Sequence, residues 1–112
     1  MKPVIPVIGL MLLTGCGSAS HLRGQEPVLE GSSPKSPAAL AQCVQEQWAR
    51  SGVKSELTTS GTGSSVLVPG TLGGYRVLLD ARPSSQGSDF SLYERLAHVT
   101  SVVYEDGVAF CK

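Results

Sequence analysis

Three cysteines, two histidines and a scatter of carboxylates and hydroxyls are the reactive groups of this 112-residue chain. A serine hydrolase would need a nucleophile, a base and an orienting acid. His98 with Asp80 or Asp89 supplies the last two, and many serines are available for the first. No nucleophile-elbow pattern presents any of those serines, so nothing marks one as a nucleophile. Glu105-Asp106 offers paired carboxylates for glycan hydrolysis, but adjacent acids normally mark a solvated turn. Gly61-Thr62-Gly63 and Gly73-Gly74 lack the lysine and the strand-to-helix setting of a phosphate-binding loop. His21 reads as a solvated side chain. His98, beside Val99 on a half-apolar segment, reads as a partly buried histidine with a hydrogen-bond partner. The expectation is a chain with no catalytic residue, no metal site and no cofactor.

Charge narrows the partners. Nine Lys and Arg balance nine Asp and Glu, and no stretch concentrates the basic residues. Nucleic acid, which demands a basic footprint, is therefore not expected as a partner. A polybasic membrane patch is missing for the same reason.

The start of the chain carries the most specific pattern. Lys2 supplies a positive charge, and Val4 to Leu13 is an apolar run followed by the small residues Thr14 and Gly15. This is the layout of a secretory signal peptide, too short for the roughly 20 apolar residues of a membrane-spanning helix. The tetrad Leu13-Thr14-Gly15-Cys16 resembles the lipobox of bacterial lipoproteins. The resemblance implies that residues 1–15 are removed as a signal peptide and that Cys16 becomes the lipidated first residue. Two or three acyl chains hold durably, since each buried methylene adds about 0.8 kcal/mol. Gly17 stands where many enterobacterial lipoproteins carry the aspartate that retains them at the inner membrane. By resemblance, the address is the periplasmic face of the outer membrane.

Export changes the meaning of the remaining sulfurs. With Cys16 acylated, Cys43 and Cys111 form an even pair in an oxidising compartment and are expected as a disulfide. The competing reading, a pair of metal or redox thiols, has only His21 and His98 to complete it and makes a poor ligand set.

The elements that must position these groups follow from patterning. Residues 16–36 are rich in Gly, Ser and Pro and read as the lipidated cysteine and a flexible tether, with a typical span of about 25 Å. Residues 37–112 form the domain. Ser36-Pro37 is a helix start, Leu40, Cys43, Val44 and Trp48 share one helical face, and Gly52 ends the helix. Trp48 reads as a core anchor. Val53, Ser55, Leu57 and Thr59 alternate as one half-buried strand, and Ser64 to Val68 is a second. Tyr75 to Ala81 is the strongest strand, with Tyr75, Val77, Leu79 and Ala81 on one face and Pro83 to Gly87 as loop. Ser88 to about Leu96 is a fourth, with Phe90, Leu92 and Leu96 inward. Tight turns between them suggest an antiparallel meander.

The last sixteen residues admit two readings. Leu96, Val99, Val103 and Phe110 fit a helical stripe. Val102-Val103-Tyr104 is strand-prone, and Asp106-Gly107 is a hairpin turn. The helix is the favoured reading, since it lays Cys111 against the first helix. Either choice leaves an α+β class: one helix on a three- to four-stranded antiparallel meander, with one disulfide.

The helix bearing Cys43 and Trp48, the strand opening at Gly73-Gly74-Tyr75 and the terminal Cys111 resemble a loose set of short, mostly uncharacterised lipoproteins of Gram-negative bacteria. The resemblance implies the layout and no activity. The functional expectation is a non-catalytic lipid-anchored envelope protein that offers its domain to another envelope protein or to peptidoglycan. Tyr75, Tyr93 and Tyr104 are its candidate contact residues, because partly exposed tyrosines favour interfaces. An inhibitor of a lysozyme-like enzyme is the alternative, and a cell-wall hydrolase ranks below it.

Overall fold

The computed structural model describes residues 18–96 and 102–112. Its elements are α1 (Ala19–Arg23), β1 (Leu29–Ser33), α2 (Pro37–Arg50), β2 (Glu56–Ser60), β3 (Gly63–Pro69), β4 (Tyr75–Ser84), β5 (Gly87–Glu94) and α3 (Val103–Cys111). The five strands form one antiparallel sheet in the order β1-β5-β4-β3-β2. Helices α2 and α3 cover one face, and α1 lies on the other. The class is α+β.

Helix α2 starts as its sequence dictates. The Ser36 hydroxyl accepts a hydrogen bond from the Ala39 N–H at 3.2 Å, and Pro37 occupies the first helical position, where no N–H is needed. The buried face carries Leu40, Ala41, Val44 and Trp48. Gly52, at a φ of +85°, follows the last turn and donates to the Ala49 carbonyl. The face packs on Val66 and Val68 of β3, Val77, Leu79 and Ala81 of β4, and Phe90 and Leu92 of β5.

Helix α3 resolves the ambiguity at the C-terminus. Asp106-Gly107 is not a hairpin turn; both residues lie inside the helix. The buried stripe is Tyr104, Gly107, Val108 and Cys111, one step round from the expected one, and Phe110 faces outward at 72 % exposure. Trp48 sets that rotation. Its indole Nε1 donates to the Tyr104 carbonyl at 3.1 Å, and its ring meets Tyr104 edge to face at 5.3 Å. Val99 lies outside the described residues, and Leu96 is 60 % exposed.

Four further expectations change. Residues 18–33 are not simply tether: they contain α1 and β1, and β1 is the fifth strand. Strand β2 is not half-buried. All five of its residues are exposed at the sheet edge, and Val53, which does reach the core, precedes it. Strand β4 continues to Ser84, through Pro83, because β3 stops pairing at Ala81 and leaves that side of the ladder open. A register shift at Val68/Pro69 also moves Tyr75 off the Val77 face, so that it packs beside Leu22, Leu67 and Leu78.

Candidate functional site

Of the three cysteines, Cys16 lies outside the described residues, together with the whole Leu13-Thr14-Gly15-Cys16 tetrad. Cys43 and Cys111 are joined, with their α-carbons 5.8 Å apart. The bridge links the middle of α2 to the last residue of α3. Lys35, just before α2, donates its ammonium to the Cys111 carbonyl, placing a cation at the negative end of α3.

The three candidate tyrosines do not share a surface. Tyr104 is only 3 % exposed and belongs to the core, so it is not available as a contact; its hydroxyl accepts from Arg76 at 3.0 Å. Tyr75 and Tyr93 are half-buried on the opposite face, each packed against the cluster of Leu22, Leu67 and Leu78. The Tyr75 hydroxyl donates to Glu56 at 3.0 Å, and that bond raises its pKa above the ordinary tyrosine value.

Beside them, α1 is fastened by chemistry that sequence reading missed. Arg23 forms a two-pronged ion pair with Asp80, Nε to Oδ2 at 2.7 Å and Nη2 to Oδ1 at 2.9 Å. Ser65 donates to the same carboxylate at 2.6 Å. Burial alone would raise the Asp80 pKa, but the Arg23 and Ser65 bonds outweigh it and hold the group below its ordinary value. Asp80 is therefore held by Arg23 and Ser65 on the α1 face of the sheet.

The other candidate reactive groups do not gather among the described residues. His98 lies outside the described residues, Asp89 is exposed on β5, and His21 is exposed on α1. Glu105 and Asp106 fall in the first turn of α3, where negative charge suits the positive end of the helix. No cluster of three metal-ligating side chains occurs among the described residues. An open groove runs between α2 and the following loop, lined by Gln45, Glu46, Ala49, Val53, Lys54 and Ser55. It gathers one acid and one base on its rim and no nucleophile paired with a base.

One ionisable group was not anticipated at all. Glu94 closes β5 opposite Val77, under the helices, and is 3 % exposed. Neither of its carboxylate oxygens finds a hydrogen-bond donor among the described residues. Burial, and then the nearby Glu105 charge, push its pKa up to about 7. The alternation of β5 was the available signal: Glu94 falls in phase with Phe90 and Leu92.

No family model, curated protein or solved structure matches the chain.

Proposed function

We propose that this chain is a lipid-anchored cell-envelope protein, held at the periplasmic face of the outer membrane through acylated Cys16, with a non-catalytic domain that serves interaction. The observation that carries the reading is the tetrad Leu13-Thr14-Gly15-Cys16 directly after a single apolar run. The Cys43–Cys111 bridge supports it from the other end of the chain, because structural disulfides persist in oxidising compartments outside the cytosol. It also accounts for the two other sulfurs and leaves Cys16 for modification. The scatter of the reactive side chains among the described residues favours interaction over turnover.

The test is the intact mass of the protein purified from its host envelope, combined with fractionation of Cys16→Ser. A chain starting at an acylated Cys16, and a variant that moves to the soluble periplasm, are expected. A chain retaining Met1, or a variant that stays on the membrane, rejects the anchor. Co-purification from detergent-solubilised envelope then identifies the contact: an envelope protein or peptidoglycan supports the interaction reading, whereas a muramidase supports the inhibitor.

A further inference from the structure

Cys16 stands two peptide units before Ser18, whose hydroxyl caps α1 by accepting from the His21 N–H at 3.1 Å. Two units span at most about 7–8 Å, whatever their conformation. Helix α1 is not free to drift with them. Leu22 is fully buried against Leu67 and Leu78, and Arg23 is bonded to Asp80. Leu67, Leu78 and Asp80 all point from the sheet face opposite α2 and α3. The α-carbon of Cys16 is thereby kept within about 8 Å of the start of a helix docked on that one face.

We propose that the α1 face of the sheet rests against the lipid headgroups of the membrane that holds Cys16, with α2 and α3 turned away from it. The inference rests on Cys16 being acylated. The acyl chains occupy the hydrocarbon, and the headgroup layer above it is about 5–8 Å thick on each side of a bilayer. Crossing that layer uses up the whole reach from Cys16 to Ser18. Nothing remains to lift the domain clear, in contrast to the roughly 25 Å span of a free tether of twenty residues.

The chemistry of the face suits this position. Helix α1 presents His21 outward, and the Arg23 side chain remains 44 % exposed beside its ion pair. Tyr75 and Tyr93, both half-buried, pack against the Leu22, Leu67 and Leu78 cluster, and the Tyr75 hydroxyl reaches an exposed bond to Glu56; tyrosine is a residue favoured at headgroup level. Glu30 and Asp89 share the face and oppose Arg23 and Arg82, so the acyl chains rather than a basic patch supply the hold. The open surface of α2 and α3, including Phe110, is left for the periplasmic side.

Fluorophores on single added cysteines test the orientation in the full acylated chain. Ser32→Cys and Thr58→Cys place labels on exposed positions at the two edges of the α1 face; Gln42→Cys places one on the outer side of α2. The proteins are reconstituted in vesicles of phosphatidylethanolamine and phosphatidylglycerol (3:1) that contain a phospholipid with a nitroxide on its headgroup. Quenching at positions 32 and 58 at least about threefold stronger than at position 42 is expected. Equal quenching at all three, or stronger quenching at 42, in a chain whose mass carries the acyl groups overturns the orientation alone. A chain whose mass lacks them overturns the anchor, and the orientation with it.

Discussion

A β-carbon added to Gly107 would lie 2.7 Å from both Cδ1 and Nε1 of Trp48. Helix α3 thus approaches α2 closely because residue 107 has no side chain, and the indole fills the space. Alanine is the better helix former by about 1 kcal/mol, yet the overlap with a fully buried ring costs about 1–3 kcal/mol. Gly107→Ala is expected to lower the urea midpoint and to weaken the near-ultraviolet dichroism of Trp48. An unchanged midpoint would show that α3 can shift at no cost.

The Cys43–Cys111 bridge closes a loop with a sequence separation of 68, a constraint worth about 4 kcal/mol in the chain-entropy account. Reduction should lower the melting temperature by more than about 10 °C in a domain of this size. Calorimetry with and without reductant measures this, and coincident transitions contradict it.

Glu94 makes stability depend on pH. Its pKa is raised from 4.5 to about 7 in the folded chain. Between those values the unfolded chain loses its proton while the folded chain keeps it, so stability falls as pH rises and levels off above about 7. The loss is at most about 3 kcal/mol. Glu94→Gln should remove that slope and stabilise the domain at pH 8. Urea titrations at pH 5 and pH 8 decide it; equal slopes in the two proteins would mean that Glu94 ionises without penalty.

Asp80 acts on the acid side. Its pKa is held below 3.8, so the stability it contributes is present above that value and is lost as pH falls through the folded pKa. Asp80→Asn removes the charge that Arg23 grips, and α1 is expected to loosen first. Hydrogen exchange at the Leu22, Gly24 and Gln25 amides, which bond within α1 and its cap, should quicken by about tenfold while the Trp48 region is unchanged. Exchange that quickens equally throughout would mean that α1 and the sheet open together.

Legibility tracked how far apart the interacting residues stand. Helix α2 was readable because its cap, its first proline, its apolar spacing and its terminating glycine lie within seventeen residues of one another. The turns at Gly61 and at Gly73-Gly74 were readable as well, since positive φ is a property of the residue itself. Strand β1 was not. Leu29-Glu30-Gly31-Ser32-Ser33 has no apolar alternation, and what makes it a strand is a partner about sixty residues away. A β-carbon on Gly31 would come within 2.9 Å of the Phe90 ring, so a residue without a side chain is what lets the strand lie beside β5 at that point.

The candidate site divides along the same line. The residue types alone carried the lipobox resemblance, which is a contiguous pattern, and the expected Cys43–Cys111 pairing, which follows once that resemblance sets Cys16 apart. Only the tertiary structure decided that Tyr104 is core while Tyr75 and Tyr93 flank α1, that Asp80 is held by Arg23, and that Glu94 lies beneath the helices. Each of those outcomes depends on which face a strand or helix turns inward. That choice is made by long-range packing, where a single register shift at Val68/Pro69 carries a side chain from one side of the sheet to the other.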